Sequence, residues 1–229
     1  MVERLLAWFA EHGRDLPWRR TRDPYAILVS EVMLQQTQAA RVVPRYLEWL
    51  EQWPTVESLA GAPTVEVLRA WQGLGYNRRA LNLQRAAREV AANGWPEDLT
   101  ALPGVGRYTA DAVACFAFGQ PVLPMDVNVR RVLERTGGSF DHTCAQALMD
   151  LGATICIARV PRCGECPLAE ACPSRGRRFE PERKQGRFEG SFRQRRGAAL
   201  RALLLGVDPG DEEAVAALAR DGLLPSLRD

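Results

Sequence analysis

Apolar positions recur every three to four residues along most of the chain, and the strict alternation of a strand is scarce. The spacing predicts a helix over Val2–His12, with Leu5, Leu6 and Phe9 on one face. Arg14-Asp-Leu-Pro-Trp-Arg19 breaks it, because proline cannot continue a helix interior. A strongly apolar helix over Tyr25–Thr37 follows Pro24. Further helices are predicted at Ala39–Trp53, Thr64–Trp71, Arg79–Ala92, Arg107–Phe118, Asn128–Arg135 and Cys144–Ala158, punctuated by Pro, Gly and Asp clusters. From about Gly176 the composition shifts to Arg, Glu, Gly and Phe, with helical pieces at Gly197–Leu205 and Asp211–Arg220. The expected class is all-α, without internal repeats, ending in a polar, partly ordered extension.

Composition is that of an ordinary globular chain, 46% hydrophobic and 25% charged. No apolar run reaches the roughly 20 residues of a membrane span, and no signal-peptide pattern opens the chain. A soluble, cytoplasmic, monomeric protein is expected. The net charge of +2 makes no case for nucleic acid, but its distribution does. Lys184 is the only lysine, and Arg175 to Arg201 holds ten basic residues against Glu180, Glu182 and Glu189. Such a stretch suits phosphate contacts, and it also suits a solvated tail.

Cys156, Cys163, Cys166 and Cys172 follow C-x6-C-x2-C-x5-C directly after a helix. In a reducing compartment this compact spacing argues for metal rather than disulfides. A single C-x2-C flanked by longer gaps fits a [4Fe–4S] cluster better than zinc, which usually pairs two such knuckles. Cys115 and Cys144 read as buried small residues.

Leu102-Pro-Gly-Val-Gly-Arg-Tyr-Thr109 reads as a tight turn entering a helix, with Gly104 and Gly106 supplying positive φ and close backbone approach. Amides at such a helix start can bind a phosphate, although most turns of this kind only connect helices. Glu31 lies within the apolar stretch Ile27–Leu34. A carboxylate there is costly unless it is partnered or keeps its proton, and a carboxyl that keeps its proton is what a general acid needs. The plain alternative is a glutamate at the helix margin. Asp126 precedes a helix, so its default role is the N-cap.

Ser30-Glu-Val-Met-Leu-Gln-Gln-Thr37, the Leu102–Thr109 hairpin, Met125-Asp-Val-Asn-Val-Arg-Arg-Val132 and the cysteine cluster occur together in the order of a known family. Arg14–Arg19, Gly73-Leu-Gly-Tyr76 and Gln146-Ala-Leu-Met-Asp-Leu-Gly152 belong to the same pattern. Over about residues 1–175 the chain resembles the helix–hairpin–helix DNA glycosylases related to endonuclease III, and among them the MutY-type adenine glycosylases. The resemblance implies a two-lobed fold with a [4Fe–4S] cluster loop. It divides the chain into a six-helix domain over 22–121, a cluster domain over 1–21 and 122–175, and a basic extension over 176–229. It implies a monofunctional glycosylase of base excision repair, acting on double-stranded DNA with a mismatched or damaged pair.

Carried over residue by residue, the resemblance makes Glu31 the acid for the leaving adenine and Asp126 the carboxylate facing the cationic sugar. Arg14, Trp18, Arg19, Leu34 and Gln146 match positions lining the base pocket. Gln36 matches the residue filling the vacated space, and Tyr76 is a stacking wedge or a core aromatic. Gly104, Gly106 and Arg107, with Arg159 and Arg162 between the cysteines, would meet the DNA backbone. Tyr108 stands where strand-cutting relatives carry a Schiff-base lysine, which argues against a lyase.

The chain departs from the family in several places. Only 30 positions separate Asp126 from Cys156, which implies a trimmed segment; Asn77 replaces a second aromatic, Cys144-Ala145 replaces Phe-Asn before Gln146, and Val127 replaces a small residue. No 8-oxoguanine-recognition domain is expected in the last 54 residues. A mismatch thymine or uracil glycosylase, and a catalytically weak damage-binding protein, are the alternatives.

Overall fold

A computed structural model describes residues 1–180 and 187–224. Along the chain run α1 (Val2–His12), α2 (Pro24–Leu34), α3 (Ala39–Gln52), α4 (Val56–Gly61), α5 (Thr64–Ala70), α6 (Arg78–Asn93) and α7 (Arg107–Phe116). They are followed by α8 (Val127–Thr136), α9 (Ala145–Thr154), α10 (Phe192–Leu204) and α11 (Glu212–Arg220). No strand occurs among the described residues, so the fold is all-α as expected. No described helix is long and apolar enough to cross a membrane. The packing forms two compact units.

One unit comprises Met1–Pro24 and Arg107–Lys184. Its core is Leu5 of α1, Val129 and Val132 of α8, and Ala147, Leu148 and Leu151 of α9, closed by Phe140, Cys144, Ile155 and Leu168. The α8–α9 contact is tight because Gly152 has no side chain. A Cβ there would lie 2.7 Å from the Cβ of Asn128 and 3.0 Å from its carbonyl oxygen.

The other unit comprises Tyr25–Gly106 and Gln185–Asp229. Nine consecutive residues of α2, Tyr25 to Met33, are buried. Aromatic side chains pin this helix: Trp49 Nε1 donates to the Tyr25 hydroxyl at 3.2 Å, which donates to the Trp53 carbonyl at 3.0 Å. Helices α4 and α5 both pack on α6. The amide of Gln84, buried in α6, is satisfied by Thr64 Oγ1 at 2.9 Å and the Ala62 carbonyl at 2.7 Å. Helices α10 and α11 pack as a pair, with Leu200, Leu204 and Leu218 buried. Arg69 on α5 donates to the Leu204 carbonyl at 3.1 Å.

Several boundaries differ from the sequence expectation. Helix α2 stops at Leu34, because Gln36 turns left-handed at φ 55°. Helix α9 stops at Thr154, where the Cys156 amide turns back to the Leu151 carbonyl at 2.7 Å. Helix α10 starts five residues before Gly197, capped by Ser191. Helix α4 was not anticipated, and it begins with a reciprocal Thr55–Ser58 capping box. Residues of α7 group with α1, α8 and α9 rather than with α2–α6, and α10–α11 join the α2–α6 unit.

Candidate active site and cysteine cluster

In the unit built on α2, Glu31 is 5% exposed and flanked by buried Ser30 and Val32. Leu34, the last residue of that helix, is half-buried. Gln36 and Tyr76 are the two non-glycine residues with positive φ among those described, at 55° and 47°. Both are exposed, Tyr76 to 46%. Backbone strain of this kind gathers at functional sites.

The hairpin turns through Pro103-Gly104, with the Val105 amide donating to the Leu102 carbonyl at 3.1 Å. Gly104 has φ 77°, as the third position of a type II turn demands, and a Cβ there would meet the Asn82 Cβ at 2.7 Å. Gly106 differs from expectation, since its φ is not in the left-handed region and a Cβ would meet nothing within 4 Å. Its use is open space in front of the backbone rather than conformational freedom. Arg107 is exposed and paired with Asp111, and Tyr108 is half-buried in the first turn of α7.

In the unit that carries α8, Asp126 is the N-cap of that helix. Its Oδ1 accepts from the Val129 amide at 2.6 Å and its Oδ2 from Asn128 Nδ2 at 2.8 Å. A chain of donors continues from there. Arg131 Nη2 donates to Asn128 Oδ1 at 2.7 Å and to the Gly152 carbonyl at 2.6 Å, while its Nε donates to the Cys156 carbonyl at 2.7 Å. The candidate carboxylate and the first cysteine are therefore joined through one arginine.

Arg14, Trp18 and Arg19 lie on the segment after α1, and the organiser of the two arginines is Asp150, a residue sequence reasoning passed over. Asp150 is wholly buried on α9. It accepts from the Arg14 amide at 2.8 Å and Arg14 Nε at 2.7 Å. It also accepts from Arg19 Nη1 at 2.9 Å and Nη2 at 2.7 Å. Burial alone would raise the Asp150 pKa; the Arg19 hydrogen bonds, then those of Arg14, more than reverse this and hold it below the usual carboxylate value. Gln146 precedes Asp150 by four residues, one helical turn, so both occupy one face of α9. The signal for Asp150 was a carboxylate among Ala147, Leu148 and Leu151, and only the fold shows its arginine partners.

The four cysteines line a single small cavity with Arg135, Leu151, Ile155 and Pro161. Burial raises the Cys166 thiol most, and its neighbours Cys156, Cys172 and Cys163 add to that against a backbone hydrogen bond at Leu168. Arg135 Nη1 points at Cys156 Sγ at 3.6 Å, and the Gly176 amide donates to Cys163 Sγ at 3.3 Å. The Arg135 guanidinium also binds the Ile157 and Ala158 carbonyls at 2.8 and 2.6 Å and lies 3.6 Å from the Phe179 ring centroid. Among the described residues, no three His, Cys, Asp or Glu side chains stand as a ready-made ligand set for a metal ion. Arg159 and Arg162, between the first two cysteines, are exposed.

Residues 29–151 match the model of the HhH-GPD superfamily of base excision DNA repair proteins. The adenine DNA glycosylase of Mycobacterium tuberculosis is 44% identical over 87% of this chain and 77% of its own. The human adenine DNA glycosylase is 42% identical over 76% of this chain and 39% of its own. Among solved structures, a thermostable thymine-DNA glycosylase aligns with a TM-score of 0.68 and 32% identity, over 75% of this chain and 93% of its own. Endonuclease III trapped covalently on DNA aligns at 0.63 with 25% identity, over 75% and 92%.

Proposed function

The chain belongs to the HhH-GPD superfamily of base excision DNA repair proteins, and from that membership we propose that it hydrolyses the N-glycosidic bond of adenine mispaired with 8-oxoguanine or guanine in double-stranded DNA. The observation that carries the reading is a carboxyl group sunk in an apolar helix of a chain 44% identical to an adenine DNA glycosylase.

Cleavage of the bond builds positive charge on the sugar, so it needs a proton on the leaving base and negative charge beneath the ring. The target must first leave the stack. We assign the proton to Glu31, away from water, and the charge to Asp126. The Val129 amide and Asn128 hold the Asp126 carboxylate, and it keeps lone pairs to spare. Water then completes the hydrolysis at the sugar. Gln146 both donates and accepts, which matches the N6/N7 edge of adenine. Arg14 and Arg19 are committed to Asp150, so with Trp18 they fix the segment after α1 rather than read the base. No amine stands at Tyr108 for a Schiff base, and the sole lysine, Lys184, lies outside the described residues. The enzyme releases the base and stops.

Gly104, Gly106 and Arg107 offer backbone amides and charge to a phosphate, as do Arg159 and Arg162, while Gln36 and Tyr76 enter the duplex. Cys156, Cys163, Cys166 and Cys172 fit a [4Fe–4S] cluster as four thiols lining one small cavity, with N–H donors at the Cys156 and Cys163 sulfurs. Bound there, the cluster supplies iron–thiolate bonds that fix the loop. The protein acts as a monomer on cytoplasmic, nucleoid DNA.

A second reading, mismatch thymine or uracil removal, is favoured by the structural match to a thymine-DNA glycosylase. The test is incubation with duplexes carrying A:8-oxoguanine, A:G, T:G or U:G, followed by alkali. Breaks at adenine that appear only after alkali are expected, with Glu31→Gln and Asp126→Asn losing release but keeping DNA binding. Breaks at thymine or uracil and never at adenine would establish the second reading instead.

A further inference from the structure

Gln36 and Tyr76 stand on separate loops, yet one side chain holds both. Arg79, in the first turn of α6, is half-buried. Its Nη1 donates to the carbonyls of Val32, Met33 and Gln35 at 2.7, 3.1 and 2.8 Å, acceptors that the end of α2 leaves unmet. Its Nη2 donates to the carbonyls of Leu74 and Gly75, each at 3.0 Å, and to Thr37 Oγ1 at 3.3 Å. One guanidinium thus grips the peptide unit before Gln36 and the one before Tyr76. The same group lies 5.2 Å from the Trp71 ring centroid and 5.6 Å from that of Tyr76.

This is more than a helix cap requires, since a basic residue near a C-terminus ordinarily meets only the last carbonyls of its own helix. The arrangement also carries a cost, because Arg79 Nε is buried without an acceptor among the described residues. Burial brings the Arg79 pKa down to about 10, against an opposing effect of Tyr76, so the group stays charged at neutral pH. The two strained residues need an outside constraint to persist. Arg79 bonds to both loops at 2.7–3.3 Å, and Thr37 Oγ1 adds longer bonds to the Gln35 carbonyl at 3.3 Å and the Leu74 carbonyl at 3.5 Å.

We propose that Arg79 is a positioning residue for DNA insertion, holding the Gln36 and Tyr76 loops in the paired geometry from which both side chains enter the duplex. The inference rests on the reading that those two residues insert. Lysine cannot replace it, because a compact ammonium lacks the planar fork that reaches two sets of carbonyls.

The test uses the full chain with Arg79→Lys, Arg79→Gln, Gln36→Ala and Tyr76→Ala, on an A:8-oxoguanine duplex with 2-aminopurine beside the mispaired adenine. Each variant should blunt the 2-aminopurine fluorescence rise and slow single-turnover excision about tenfold. Affinity for an undamaged duplex should stay within about threefold, since the phosphate contacts remain. On the Arg79→Lys background, Gln36→Ala and Tyr76→Ala should add little, because the loops are already released. Arg79→Gln strands buried carbonyls and can fail to fold; Arg79→Lys keeps the charge, and its faster hydrogen exchange should be confined to residues 34–37 and 73–77. Uniformly faster exchange through α3–α6, full additivity, or a normal fluorescence rise in Arg79→Lys would each overturn the proposal. If Gln36→Ala and Tyr76→Ala leave the rise intact while adenine is still excised, the insertion reading itself falls and the proposal with it.

Discussion

Replacing Asp150 by asparagine keeps the shape of the side chain and removes its charge, leaving two guanidiniums facing a neutral amide that also donates. The carboxylate is 1% exposed, against 13% for the Arg19 side chain and 34% for Arg14. Breaking a buried pair by removing one partner costs about 3–5 kcal/mol, and the partial exposure of Arg14 argues for the lower end, about 3 kcal/mol. For a chain of this size that lowers Tm by roughly 6–12 °C. The pH dependence follows from the depressed Asp150 pKa. A carboxyl whose folded pKa lies below its unfolded value of about 3.9 contributes fully above that value and loses the contribution as pH falls through the folded pKa. The gap between wild type and Asp150→Asn in urea-unfolding midpoints should therefore be constant from about pH 5 to 8 and narrow progressively as pH falls below about 4 toward the folded pKa. Arg19→Ala should cost more than Arg14→Ala, since Arg19 is the more buried and also donates to the Arg14 carbonyl at 2.8 Å. A gap under about 1 kcal/mol at neutral pH, the size of an ordinary surface substitution, would refute the reasoning, as would one that persists unchanged at pH 3.

Gly104→Ala forces a side chain into φ 77° and against Asn82, and should destabilise by about 2–3 kcal/mol in denaturant titrations. Gly106→Ala, with open space around it, should barely change stability yet weaken duplex binding, measured by fluorescence anisotropy. Arg131→Gln severs the link between the Cys156 carbonyl and Asn128; single-turnover excision should fall about tenfold while affinity for undamaged duplex holds. Cys166→Ser should lower bound iron from about four per chain and bleach the visible absorbance of the purified protein. Unchanged iron in that variant would remove Cys166 from the ligand set.

Much of this was legible in the chain. Pro24 and the apolar run after it locate α2, and Pro103-Gly104 gives the hairpin, because both signals are local. What escaped is what three-dimensional partners create. Gln36 ends α2 early through a left-handed backbone that glutamine does not advertise, held by Arg79 from 43 positions away. Helix α4 is six residues long, and Ser58 rather than Glu or Gln completes its capping box. Asp150 and Arg131 read as unremarkable polar residues until α8, α9 and the segment after α1 pack together. The helical pieces at Gly197–Leu205 and Asp211–Arg220 were legible, but not that the first begins at Phe192, that the two pack as a pair, or that α10 meets Arg69.

Asp126 is the N-cap of α8 and, in the proposed mechanism, also the counter-charge to the sugar, and the two duties can be separated. As an N-cap it needs an oxygen for the Val129 amide, which asparagine supplies about as well as aspartate does. As a counter-charge it needs to be an anion, which asparagine is not. Asp126→Asn therefore keeps the cap on Val129 and removes the charge, giving up the bond that Oδ2 accepted from Asn128, which makes it the variant with which to hold an intact substrate duplex on the protein. Alanine at the same position also uncaps α8 and strands Asn128, so an inactive Asp126→Ala protein would not distinguish a lost charge from a frayed helix.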